Sequence, residues 1–261
     1  MAPKLILCTA FVLAFASVRC QTDTCCSKRL EHRLRLAPTL LWYLPMQHQR
    51  TYGELDTFRG TVGRSWRAQL GYSLRIGRSV IGLEFSFLRR KYAFTNDLAP
   101  EDLPENVRFD VFYPSPLYIL NPSWKGSIQY EYVLVERKRF YGAAVIGLGV
   151  EYQRPITFIF REGARDDSGE RVILSEGLMF VNLQEEVGIN FQLGVTASYA
   201  LGKKRNFGPY VQAMFDLGTY EPMHGTYELL PGQPNASGGT IRSQNSYLSL
   251  SAGLFLSLGN K

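Results

Sequence analysis

Eight segments of this chain alternate apolar and polar residues with a period of two, and the connections between them alternate short and long. Period-two alternation is the mark of a strand that presents different faces to different surroundings. The segments lie at 34–44, 64–76, 79–92, 124–136, 140–152, 185–200, 207–220 and 245–258. Each is long enough for the roughly 9 to 11 tilted residues that a membrane strand requires. In the sixth, Val187, Ile189, Phe191, Leu193, Val195, Ala197 and Tyr199 alternate with Gly188, Asn190, Gln192, Gly194, Thr196 and Ser198. The last segment sets Leu248, Leu250, Ala252, Leu254, Leu256 and Leu258 against Tyr247, Ser249, Ser251, Gly253, Phe255 and Ser257.

Alternation alone also suits a soluble sandwich, so the connections decide. Gly77-Arg78, Arg137 to Arg139 and Leu201 to Asn206 are tight, whereas 45–63, 93–123, 153–184 and 221–244 are long. Up-and-down strands joined this way put every long connection on one rim and the short turns with both chain ends on the other. That is the plan of an outer-membrane barrel, with short periplasmic turns and long extracellular loops. The expected fold is therefore all-β, an eight-stranded antiparallel up-and-down transmembrane β-barrel. A lipocalin-like soluble carrier would reverse the faces, apolar inside and polar outside. Within the third long connection, Ile156 to Arg161 and Arg171 to Leu178 flank a turn sequence at Arg165 to Gly169, which predicts a further strand pair. The connection 93–123 holds Pro100, Pro104, Pro114, Pro116 and Pro122 and is expected to fold over the rim or stay mobile.

The amino terminus reads as a secretory signal: Lys4, then an almost unbroken apolar run from Leu5 to Ala16, too short to cross a bilayer as a helix. Cleavage after Ala16 or after Cys20 fits, and the second, favoured here, leaves Gln21 first. Arg19 stands against acylation of Cys20. The expected divisions are 1–20 signal peptide, 21–33 periplasmic amino-terminal segment and 34–261 barrel, in the outer membrane of a bacterial cell envelope. Cys25 and Cys26 are neighbours and cannot staple distant segments to each other; they form either a thiol-bearing tail or an intermolecular disulfide.

The net charge is +6. The basic residues are neither gathered on a helix nor interleaved with stacking aromatics, so nucleic acid is not an expected partner. Arg75, Arg78, Arg137, Lys138, Arg139, Lys203, Lys204 and Arg205 cluster at the tight turns, where they either meet anionic head groups of outer-membrane lipids or keep the turns solvated. At the opposite rim Asp97, Glu101, Asp102, Glu105 and Asp110 face Arg108 alone, a hydrated loop or a binder of cations or a basic partner. Arg35, Arg67, Glu84, Glu131, Glu151, Glu186 and Asp216 fall on the polar face, inside the barrel, where unpaired charge is costly and a network is expected. A small barrel is filled by its own side chains, which predicts a closed lumen. Trp42, Tyr43, Trp66, Tyr92 and Trp124 at one rim, and Phe140, Tyr141, Phe207 and Tyr210 at the other, read as interfacial girdles.

No Gly-x-Ser-x-Gly, His-Glu-x-x-His or phosphate-loop motif occurs, and no cofactor or metal site is expected. His32 lies near the amino-terminal end of the barrel. His48 and His224 fall in the first and last long connections, which become neighbours on closure. With Asp56, Glu54 or Glu221 as partner they are the one catalytic candidate, for a rim-sited lipid or peptide hydrolase or acyltransferase. The leading expectation is a non-enzymatic barrel with a structural or binding role through its extracellular loops, and a narrow conduit for small solutes is a further alternative.

Gln21 at the proposed start, the alternating strands, the three basic tight turns and the closing strand Ser246 to Leu258 together resemble the small eight-stranded outer-membrane barrel proteins common in Bacteroidetes. The chain departs from such barrels in ending Gly259-Asn260-Lys261, with Phe255 the nearest aromatic. The resemblance implies recognition by the barrel-assembly machinery. It also implies a role among anchors, adhesion proteins, small-molecule conduits and lipid-A-modifying enzymes, between which fold does not choose.

Overall fold

The alternation produces strands whose apolar face is turned outward. The computed structural model describes residues 30–105, 107, 117–181, 187–202 and 206–258. Its strands are β1 (Leu30–Tyr43), β2 (Gln47–Tyr52), β3 (Phe58–Gly63), β4 (Ser65–Ile76), β5 (Ser79–Asn96), β6 (Leu117–Arg137) and β7 (Phe140–Gln153), then β8 (Ile156–Arg165), β9 (Arg171–Val181), β10 (Gly188–Tyr199), β11 (Phe207–Gly218), β12 (Met223–Leu229), β13 (Ser237–Ser243) and β14 (Ser246–Ser257).

Eight of them form a ring. β1 pairs with β4 and β14, and the antiparallel ladder continues β4–β5–β6–β7–β10–β11–β14, so each has two partners and no barrel strand is left as an edge. Burial inverts the order of a soluble protein: Leu36, Leu193 and Leu254 are 62%, 62% and 64% exposed, while Arg35, Gln192 and Ser251 are 8%, 3% and 1% exposed. Only surroundings of hydrocarbon make that arrangement favourable. The tight turn between β4 and β5 uses Gly77 at φ 64°, the left-handed conformation that a two-residue hairpin turn needs at its first position. β1 starts at Leu30, paired with Ile76, earlier than the expected boundary at 34. The signal sequence, Gln21, Cys25 and Cys26 lie outside the described residues.

The described parts of the long connections are more ordered than expected. They supply six strands that stand on one rim as a head. β2, β8, β9, β12 and β13 form a five-stranded sheet in the order β2-β13-β12-β9-β8, which includes the expected β8–β9 hairpin. β5 and β6 run on past the barrel to the pair Phe94↔Leu117, and β3 adds to the other edge of β5. The two sheets share a core in which Met46, Phe58, Tyr92 and Phe94 meet Phe160, Met179, Val181, Met223, Tyr227, Leu229 and Ile241.

Large residues alternate with glycine along the inner rows of the five-stranded sheet: Phe160–Gly177–Tyr227–Gly239 in one and Met179–Gly225–Ile241 in the next. A Cβ at Gly177 would lie 2.2 Å from the Phe160 ring, and one at Gly225 2.3 Å from the Met179 sulfur. Each bulky side chain thus lies across its neighbour's bare backbone. Leu98, Leu103 and Val107 from the proline-rich connection pack on Ala164, Leu174 and Leu230, so its described part is docked to the head.

Inversion of burial makes a direct prediction. Leu193→Arg, in the middle of the apolar belt beside Ile146 and Phe215, should cost about 2–4 kcal/mol in urea unfolding from lipid vesicles. Ile159→Arg, at a still more exposed apolar residue of the head, should cost less than ~0.5 kcal/mol. Equal costs would mean that the two surfaces face the same solvent.

Candidate functional site

Inside the ring the polar face closes on itself. Arg35 holds Glu131 through its two terminal guanidinium nitrogens, one at 2.9 Å, and the Tyr141 hydroxyl donates to the same carboxylate at 2.8 Å. Arg67 lies 3.7 Å from Glu84, which also accepts from the side-chain amides of Gln69 and Gln129 at 2.6 and 2.8 Å. Lys125 donates to Asp216 and to the Tyr247 hydroxyl, the latter at 2.8 Å, and Gln192 donates to Asp216 at 2.8 Å. Arg90 binds Glu151 at 2.6 Å and also donates to Asn245, while Ser123 donates to Glu151 at 2.5 Å.

These make four cation–anion pairs with eight buried members. Arg67, Arg90, Lys125 and Tyr247 are among the largest fully buried side chains, and with Leu41 and Leu88 they lie inside the barrel. Near the short-turn rim Arg33 binds Glu31 at 2.8 Å and lies over the Tyr141 ring at 4.7 Å.

Six of the seven expected lumen charges (Arg35, Arg67, Glu84, Glu131, Glu151 and Asp216) are in this network, and Glu186 lies outside the described residues. Sequence reasoning missed Arg90 and Lys125. The run Arg89-Arg90-Lys91 hides the alternation, but the inward parity of Glu84 and Ser86 leads to Arg90, and that of Ser127 and Glu131 leads to Lys125.

The same parity corrects the girdles. Tyr43 lies tilted beside Tyr247, centroids 5.2 Å apart, under Arg90, Tyr92 lies in the head core, Tyr141 donates to Glu131, and Tyr210 sits beneath Arg35. They face inward, and Trp66, Trp124, Phe140 and Phe207 remain exposed on the outside. His32 also lies outside, with Nδ1 2.5 Å from the Tyr72 hydroxyl.

Of the basic turn residues, Arg75 is engaged at the rim, 2.6 Å from Glu136 and 3.6 Å from Glu31. Arg78, Arg137, Lys138 and Arg139 are exposed, and Lys203, Lys204 and Arg205 lie outside the described residues. In the acidic connection, Asp102 accepts from the Ala99 N–H at 3.0 Å and so serves its own turn. Asp97, Glu101 and Glu105 are exposed, while Arg108 and Asp110 lie outside the described residues. Among the described residues no cluster of His, Cys, Asp and Glu is arranged to hold a metal ion.

The structure does not bring the candidate catalytic histidines together. His48 is level with Ile241, whose side chain points into the head core, and His224 is level with Arg242, the next residue along β13. Consecutive strand residues point to opposite faces, so the two rings lie on opposite sides of the sheet. Asp56 is 3.0 Å from Arg59, Glu221 is 3.5 Å from Arg242, and His224 lies against Phe180.

His48 has a structural task instead. Its Nε2 accepts the Gly60 N–H at 3.1 Å, so a side chain joins β2 to β3. Burial pushes its imidazole below the ordinary histidine value of 6.5, against a smaller upward pull from the Gly60 carbonyl oxygen 3.5 Å from Nε2; Arg59 adds to the lowering and Asp56 opposes it.

The chain matches no family model and no curated protein. Among solved structures it is similar in fold to OprG, the outer membrane protein of Pseudomonas aeruginosa, with a TM-score of 0.50 at 7% identity over 89% of this chain and 98% of that one. Neisserial surface protein A aligns at 11% identity over 87% and 96% of the two chains, with a TM-score of 0.33. The Pseudomonas putida toluene transporter TodX aligns at 10% identity over 89% and 90%, with a TM-score of 0.29. The likeness to OprG is one of fold.

Two predictions follow from this geometry. Glu151→Gln leaves Arg90 buried without its counter-charge and should cost about 3–5 kcal/mol, whereas adding Arg90→Met should recover part of that loss. Unfolding in vesicles measures both, and costs that simply add would deny the pairing. For His48, a lowered folded pKa means that the unfolded chain binds more protons in acid, so its contribution is full above 6.5 and fades as pH falls below that value. Limited proteolysis between β2 and β3 should quicken from about pH 7.5 to about pH 5.5, and His48→Gln should remove that dependence. A pH response unchanged in the variant would assign it elsewhere.

Proposed function

We propose that this chain is a bacterial outer-membrane protein whose barrel is a closed anchor and whose head, on the cell surface, is the part that binds. What carries this reading is one combination: balanced ion pairs occupy the bore while the described parts of the four long connections fold into a single double-sheeted head. An apolar belt outside a polar interior supports membrane insertion, and the OprG-like fold supports the outer membrane as its place. On this reading the chain is exported by its amino-terminal signal and inserted by the barrel-assembly machinery, with the short turns in the periplasm. Arg78, Arg137, Lys138 and Arg139 then sit level with lipid head groups.

A bore filled by Arg67, Arg90, Lys125 and Tyr247 gives no support to solute passage. Histidines on opposite faces of a sheet give none to rim-sited hydrolysis.

Surface labelling tests the orientation. Ile159, 72% exposed on the edge strand β8, offers a site. In intact cells Ile159→Cys should react with a membrane-impermeant polymer maleimide well above the level of the unaltered chain. Labelling that appears only after lysis would place the head on the inner side or the protein in another compartment.

A further inference from the structure

Where β8 passes the extended ends of β5 and β6, the head has a half-open pocket of about 220 Å³. Phe58, Phe94 and Phe160 line it, each at most 8% exposed. Their ring planes are nearly parallel: Phe58 lies 16° from Phe94 and 4° from Phe160, and Phe94 lies 11° from Phe160, with centroids 6.0, 5.5 and 6.2 Å apart. Aligned aromatic faces suit a flat ring better than a branched aliphatic group.

One polar group beside the pocket is unmet. Asn96 lines it and is 2% exposed; its Oδ1 accepts from the Thr57 hydroxyl at 3.2 Å, and its Nδ2 is buried without a hydrogen-bond partner. A buried donor in that condition is costly to the empty protein and is recovered by any ligand that offers an acceptor. Leu117 stands at the wall, 37% exposed, and Arg161 is held by Glu176 at 2.9 Å.

We propose that this cavity binds a small, flat aromatic compound carrying one hydrogen-bond acceptor, with its ring against the phenylalanines and its acceptor on Asn96 Nδ2. Size agrees: an apolar cavity of ~150 Å³ admits benzene, and the larger volume here leaves room for a small substituent on the ring. The inference rests on the head being the binding part of the chain and names the class of ligand that it takes.

The test uses the full chain in lipid nanodiscs, with empty nanodiscs as reference. 4-Fluoroacetophenone supplies ring and acceptor, 1-ethyl-4-fluorobenzene has nearly the same shape without the acceptor, and fluorine NMR reads both. The ketone should bind the protein, and the ethyl compound should bind about tenfold more weakly, the worth of one buried hydrogen bond. Asn96→Asp, which replaces the donor by an acceptor, should weaken the ketone by a similar factor. Leu117→Trp, which fills the cavity from its wall, should abolish binding of both. Binding no greater than to empty nanodiscs, equal affinity for the two probes, or undiminished binding by Leu117→Trp would each overturn the assignment. Surface labelling of Ile159→Cys is independent of these outcomes, so a failed ligand site and a failed placement of the head are told apart.

Discussion

Burying charge in a narrow barrel is the constraint from which the rest follows. A surface that meets hydrocarbon has to be apolar, so the polar half of every strand turns inward. Eight strands leave space inside only for side chains, so any charge there has to find its opposite within the same bore. The bore holds Arg35 with Glu131, Arg67 with Glu84, Lys125 with Asp216 and Arg90 with Glu151. Buried pairs of this kind add little to stability over an apolar filling, but breaking one is expensive. All eight strands contribute a polar residue to the network, β10 through Gln192 and β14 through Tyr247. A one-residue slip in any of them would turn its polar row to the lipid.

On the proposed reading of the bore as closed, the functional question moves to the head. Its strands come from chain segments that start and end at the barrel rim, so the barrel fixes where each one rises. Packing then does what composition alone does not: glycines at 177 and 225 let Phe160 and Met179 lie across neighbouring backbone, and Phe58 and Phe94 close the core from the other sheet. At the seam between β2 and β3 a histidine side chain replaces the backbone pairing of a hairpin. At the other, between β8 and the ends of β5 and β6, the aromatic cavity lies.

The barrel was legible because its two signals are local and repeated. Alternation set the strands, and the lengths of the connections set the rims. Lumen charges could be read by parity wherever the strand was recognised, as for Glu131 and Asp216. Parity was lost where polar residues sit side by side, as at Arg90, or where an aromatic near a strand end was judged by position and not by face, as for Tyr43 and Tyr141. The head was largely hidden. β2 reads Gln47-His-Gln-Arg-Thr-Tyr52 and β13 is rich in serine and glycine, so neither has an apolar face of its own. Both are strands because the neighbouring strands and the shared core make them so, a tertiary effect that outweighs propensity. Loop order alone makes His48 and His224 neighbours, and it says nothing about the face of a sheet.

Single-channel recording of the unaltered protein in planar bilayers tests the central claim most directly. If paired charges and packed side chains fill the lumen, insertion should produce no stable ohmic steps, in low salt or high. A steady open-channel current that scales with salt would show a continuous water path through the bore, and would contradict the account of the lumen and of the head as the functional part.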